Sequence, residues 1–288
     1  MTPRNGLILA VVVVVGFLAI SALAVILGGD DDDFDTPRRT DADARTDIAY
    51  GDDPRQRYDV FTPATGDGPY PTVIWIHGGG WRFGDKAADM PVWDWTDDGY
   101  AVVAINHRYA IDGATIADST ADAIAAVTHV LDRADAYAID ADRVGVYGFS
   151  AGGHLAAMVG QADVGVAALV VSGAPTDFEP MVDADRSIFE GRPSDEAATL
   201  IRTLLGCLGD CAEEVATLSP ARLAPSDAPV LVVHGSADTF VDVSQAEAYV
   251  ARLEADGVDV EFDRVEGGGH ATHSSARIEA FFAEHLAG

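Results

Sequence analysis

Arg143-Val144-Gly145-Val146-Tyr147-Gly148-Phe149-Ser150-Ala151-Gly152-Gly153-His154-Leu155 is the stretch that decides how this chain folds. Its first half is a short, apolar, β-rich run that predicts a buried strand. Ala151 to Val159, rich in Ala, Leu and Met, predicts the opening of a helix. Between them stands G-x-S-x-G, with small residues at 148, 151, 152 and 153. A sharp strand-to-helix turn needs that smallness, because the backbone passes close to itself. Such an elbow holds a serine hydroxyl up and exposed at the top of a sheet. A passive glycine-rich turn is the bland alternative, and the flanking strand and helix argue against it.

Outward from this stretch, apolar strands alternate with helical spacing. Thr72 to His77, Tyr100 to Asn106, Val166 to Ser172, Pro229 to His234 and Val258 to Val265 read as strands, with Tyr58 to Phe61 as an early edge strand. Ala114 to Ala134, Ser150 to Gly160, Val243 to Ala255 and Ser274 to Ala287 have helical composition. This βαβ alternation predicts a mostly parallel central sheet with helices on both faces. Thr176 to Pro220 interrupts the alternation and reads as a small cap or lid. Ligands of such sheets sit at the carboxyl ends of strands. His77, Ser150 and Asp238 all follow strand ends, which puts them on one rim.

Three groups of residues on that rim complement one another. A serine hydroxyl is a weak nucleophile until a base takes its proton, and histidine can do so when a carboxylate orients it. His270 follows Gly267-Gly268-Gly269, a loop able to reach the rim; His273 competes with it. Asp238 follows the strand ending in His234-Gly235, with Asp242 as its competitor. The loop His77-Gly78-Gly79-Gly80-Trp81 can aim backbone N–H groups at a developing oxyanion. Gly79, Gly80 and Ala151 are the expected donors. Trp81 either lines the substrate pocket or braces the loop. His107, His154 and Asp118 read as structural, and Asp177 as a neighbour of the acyl pocket.

The order Ser150, Asp238, His270, with the HGGG loop upstream, resembles that of the α/β-hydrolase fold. Asp59-Val60-Phe61, Trp75 to Arg82, Gly148 to Leu155, Ser219-Pro220, His234 to Asp238 and Gly269-His270 carry a narrower likeness. It is to the hormone-sensitive-lipase-like esterases, in the feruloyl-esterase-like carboxylesterase branch known as BD-FAE. The resemblance covers about Tyr50 to the C-terminus. It implies a serine esterase with nucleophile Ser150, acid Asp238 and base His270, a small-molecule ester substrate and no cofactor. The His-Gly-Gly-x-Trp pattern is also similar to kynurenine formamidases, so an amidase is the alternative. A non-catalytic binder on the same fold is a third reading, although such proteins usually lose triad residues.

Composition bounds the rest. Hydrophobic residues make up 48% of the chain, enough for a packed core rather than disorder. The formal net charge is −29, with aspartate far outnumbering glutamate and Lys86 the sole lysine. Such a surface repels nucleic acid and anionic headgroups. A solvated acidic surface explains it; adaptation to high salt is the sharper alternative.

Leu7 to Leu27 is an uncharged apolar run, and at ~1.5 Å per helical residue it can cross a ~30 Å hydrocarbon core. Arg4 precedes it and Asp30 to Asp33 follow, so the charge pattern puts the domain outside the cytoplasm. Residues 1–28 are therefore expected to be a transmembrane anchor, or a signal peptide cut near Ala22-Leu23-Ala24 to give a secreted protein. Residues 29–48 read as an acidic flexible linker, and 49–288 as the catalytic domain. The two cysteines, Cys207 and Cys211, are close enough to bond in an oxidising compartment. Two unpaired thiols are the alternative; a metal site is not expected, since two sulfurs lack further ligands nearby.

Overall fold

The computed structural model describes residues 43–87, 93–111, 113–272 and 274–288. The apolar N-terminal run, most of the expected linker and His273 lie outside them. Among the described residues no helix is long and apolar enough to cross a membrane.

The strands are β1 (Asp43–Ala49), β2 (Arg57–Thr62), β3 (Tyr70–Ile76), β4 (Ala101–Ile105), β5 (Ile139–Phe149), β6 (Ala168–Ser172), β7 (Val230–Gly235) and β8 (Val260–Val265). The helices are α1 (Ile116–Leu131), α2 (Ala151–Gln161), α3 (Glu179–Val182), α4 (Ser194–Leu205), α5 (Ala212–Leu218), α6 (Ser244–Asp256) and α7 (Ser275–His285). They build one sheet in the order β1-β2-β4-β3-β5-β6-β7-β8. β1 pairs with β2, and β2 with β4, antiparallel; every other neighbouring pair is parallel. This is the α/β-hydrolase fold that the elbow and the alternation predict.

Strand periodicity explains why the sheet is covered twice. Val73, Trp75, Tyr147, Leu231 and Val233 point to one face, against Ile278, Phe281 and Phe282 of α7. Their neighbours Ile74, Ile76, Val146 and Val232 point to the other, against Val127 of α1, Leu155 and Val159 of α2 and Leu253 of α6. A residue such as Phe282, fully buried, contributes up to about 3 kcal/mol by leaving water. The segment expected as a lid holds α3, α4 and α5. Its Phe178, Met181, Phe189, Ile201 and Leu204 join the core cluster, so it is a small helical cap anchored from below.

Two expectations change. The strand containing Tyr58 to Phe61 is not an edge, because β1 lies outside it. Residues 43–48, expected in the linker, form most of β1. Their polar composition hides a strand held by main-chain pairing and by Lys86. That lysine is buried, and its Nζ reaches Asp59 Oδ2 at 2.8 Å and Asp47 Oδ1 at 2.9 Å. Asp59 also accepts the Asp47 N–H at 2.7 Å.

Removing one partner of a buried pair strands the other charge. Lys86→Met is therefore expected to lower unfolding stability by about 3 kcal/mol, read from urea denaturation. Adding Asp59→Asn should restore part of that loss. A double variant less stable than the single one would refute the account.

Candidate active site

Ser150 stands between the last residue of β5 and the first of α2, with φ 55° and ψ −120°. A left-handed backbone at a residue with a Cβ costs roughly 1–3 kcal/mol and persists only when its surroundings fix it. Here the Ser150 N–H donates to Ser172 O of β6 at 2.8 Å, and its carbonyl accepts from His154 N of α2 at 3.0 Å. Tight packing explains the small residues that follow. A Cβ on Gly152 would lie 2.1 Å from Ile76 O and 2.5 Å from His77 O, the end of β3.

The structure brings together the three residues expected to act together. His270 Nε2 lies 3.0 Å from Ser150 Oγ, and its Nδ1 lies 2.7 Å from Asp238 Oδ2. Facing a carboxylate, Nδ1 is assigned the hydrogen, which leaves Nε2 as acceptor toward the serine hydroxyl. The β7 and β8 loops that carry the pair are laced together: Ser236 N donates to Val265 O at 2.9 Å and Ala237 N to Gly268 O at 2.8 Å. The imidazole sits between Phe149 and Phe240, with centroids at 5.1 and 5.2 Å. The competitor Asp242 instead accepts the Ser244 N–H at 2.9 Å and caps a turn.

Asp238 is buried, which by itself opposes its ionisation; hydrogen bonds outweigh that and hold its carboxyl well below the usual range. The donors are His234, His270 and the Val241 N–H. Oδ1 accepts from Phe240 N at 2.8 Å and Val241 N at 3.0 Å. His234 Nε2 is 2.9 Å from Val241 O and 3.3 Å from Asp238 Oδ2, so one N–H is shared between the loop and the carboxylate. Sequence reasoning passed over His234, although its place four residues before Asp238 was the signal.

The glycine loop runs beside the serine: a Cβ on Gly78 would lie 3.0 Å from Phe149 O and 3.4 Å from Ser150 Cβ. Gly79, at φ 108°, adopts a conformation that side chains avoid. Its carbonyl accepts from Arg82 N at 3.0 Å and Phe83 N at 3.2 Å, which closes the turn. Among the described residues the Gly79 and Gly80 amides have no backbone acceptor. Ala151, first in α2, has an N–H with no acceptor inside its helix.

Trp81 does not line a pocket. It is fully buried, with its ring against His154 at 5.3 Å, Phe178 at 5.8 Å and Phe189 at 6.2 Å. It braces the glycine loop from below, and that packing leaves no face for a substrate. His154 Nε2 lies 2.8 Å from Leu218 O; a carbonyl only accepts, so Nε2 carries the hydrogen and donates it. Burial pushes its pKa down to about 4 against that hydrogen bond. His107 stacks on His77 at 4.7 Å, as a structural residue would. Asp118 accepts the Thr115 N–H at 2.8 Å at the start of α1, also a structural role. Asp177 pairs with Arg222 at 2.7 Å in the cap. A disulfide joins Cys207 and Cys211, whose Cα atoms are 5.2 Å apart, and ties the end of α4 to the start of α5.

A protein-family model described as BD-FAE matches residues 58–253. The isoprenylcysteine alpha-carbonyl methylesterase of Arabidopsis thaliana is 25% identical over 78% of this chain and 56% of its own length. Esterase LipC of Mycobacterium tuberculosis is 30% identical over 77% of this chain and 58% of its own. The chain therefore spans a little over half the length of these relatives. Among solved structures, a truncated carbohydrate esterase from gut microbiota superposes with a TM-score of 0.71 at 24% identity, over 85% of this chain and 96% of the other.

His154 gives the site a pH signature. It is neutral when folded down to about pH 4, whereas an unfolded histidine takes a proton near ~6.5. Stability from its burial is thus complete above ~6.5 and is lost as pH falls toward 4. His154→Leu should flatten the decline between those values by about 3 kcal/mol, measured by urea unfolding at a series of pH values. Parallel curves for parent and variant would contradict it.

Proposed function

The chain belongs to the BD-FAE family, and from that membership we propose that it is a serine hydrolase cleaving carboxylic esters through an acyl-enzyme. The observation that carries the reading is the unbroken hydrogen-bond chain Ser150 Oγ, His270, Asp238, at 3.0 and 2.7 Å. His270 Nε2 takes the Ser150 proton as Oγ attacks the acyl carbon. Asp238, already ionised, stabilises the imidazolium that forms and holds its ring in place. The carbonyl oxygen becomes an oxyanion, to which Gly79, Gly80 and Ala151 donate their N–H groups. The tetrahedral intermediate collapses, the C–O bond to the alcohol breaks, and His270 returns its proton to the leaving oxygen. Water then attacks the acyl-Ser150 ester by the same steps and releases the acid.

The names of the plant and mycobacterial relatives favour esters over the N-formyl amide alternative. The intact hydrogen-bond chain speaks against a non-catalytic binder. Ser150→Ala is expected to lower kcat/KM for p-nitrophenyl butyrate by roughly 10⁴-fold or more, and Asp238→Asn by about 10³-fold or more. Equal turnover by parent and Ser150→Ala would sink the proposal. Turnover of N-formylkynurenine alone would move it to the amidase.

We propose in addition that Leu7 to Leu27 carries the domain out of the cytoplasm, as an anchor or as a cleaved signal. The support is its apolar length and the change from Arg4 to Asp30 across it. In cells making the full chain, protease added outside should digest the domain, or the domain should appear in the medium. An intact protein held in the cytosol would exclude export.

A further inference from the structure

The cap meets the glycine loop through a charged residue that the mechanism above does not use. Glu190 lies in the cap between Phe189, which packs under Trp81, and Gly191. It has φ 54°, and its N–H donates to Phe240 O at 2.8 Å. Phe240 is the residue stacked on His270 at 5.2 Å. Glu190 is thus fixed from both sides, and its carboxylate is aimed at the glycine loop. A first side-chain carbon on Gly80 would lie 3.0 Å from Glu190 Oε1 and 3.6 Å from Arg82 Nη2. Arg82 Nη2 donates to Oε1 at 2.5 Å, and Arg192 Nε donates to Oε2 at 3.2 Å.

With Gly80 read as an oxyanion donor, a carboxylate against it lies close to the negative charge that develops during the reaction. Left alone it would oppose that charge, and more strongly in a site from which water is excluded. We propose that Arg82 is a positioning residue whose guanidinium covers the Glu190 oxygen that faces Gly80, while Arg192 takes the other, so that the cap can grip the loop without opposing the oxyanion. The proposal rests on the reading of Gly79 and Gly80 as oxyanion donors. The Arg82–Glu190 pair joins loop to cap, and covering that oxygen keeps the donors effective. The two side chains are therefore unequal partners: losing Arg82 leaves Arg192 on the far oxygen only and uncovers the oxygen that faces Gly80, whereas losing Glu190 removes the charge altogether.

The test is a set of p-nitrophenyl butyrate kinetics on the parent, Arg82→Gln, Glu190→Gln, the double variant and Arg82→Lys, with thermal melting on each. Arg82→Gln should lower kcat on the order of tenfold, less than deleting an oxyanion donor outright, with KM within about twofold of the parent. The double variant should be several-fold faster than Arg82→Gln. Arg82→Lys, which keeps the charge if the Gln variant folds poorly, should hold kcat within about threefold of the parent. A double variant as slow as Arg82→Gln, or a Lys variant as slow as the Gln variant, would overturn the proposal. Ser150→Ala separates the two failures: if it is inactive while the Arg82 variants match the parent, only this inference falls. If it is as active as the parent, the esterase reading falls first.

Discussion

The close crossing of α2 over the end of β3 is the constraint on which the rest of the site depends. Gly152 leaves no room for a Cβ between α2 and the Ile76 and His77 carbonyls. That contact forces the chain to leave β5 by a sharp turn, and Ser150 takes the left-handed conformation at its apex. The same contact fixes where β3 ends. The glycine loop therefore begins beside the serine without any long-range device to bring it there. Parallel pairing of β5 with β6 then supplies the Ser172 carbonyl that stabilises the strained turn. Nucleophile and loop are two outputs of one packing event.

Electrostatics under this rim is settled by burial on one side and by hydrogen bonds on the other. His77, His107 and His154 are buried, and burial lowers the pKa of each, so these three rings are uncharged at neutral pH. Asp238 is buried as well, yet donors from three directions keep it ionised. The difference lies in the balance: each histidine meets one carbonyl, which favours its cation but is outweighed by burial, while the aspartate meets several N–H groups, which together outweigh its burial. The ionised Asp238, hydrogen-bonded directly to Nδ1, is well placed to polarise His270.

What was legible in the sequence had a local cause. Ser150, Asp238 and His270 each follow an apolar strand, so strand prediction and motif reading reinforced one another. The cysteine pair was readable from its spacing. β1 was not, because Asp, Arg and Thr in an exposed edge strand resemble a linker, and the tie through Lys86 is invisible locally. Trp81 stood next to the right loop, but only packing tells a wall from a brace. Glu190 meets Arg82 across a long stretch of sequence, through a cap whose path no short pattern encodes.

Lys86 has a consequence outside folding. It is the sole lysine of the chain, and its amine is buried against Asp59. Apart from the chain's amino terminus, the folded protein offers acylating reagents no free amine. Couplings that capture most proteins through surface lysines would leave this one unmarked. Labelling at Lys86 should be slow while Asp47 and Asp59 hold its amine, and should quicken when the β1–β2 edge opens. The residue thereby becomes a built-in clock for that opening, readable by mass spectrometry as a single added group.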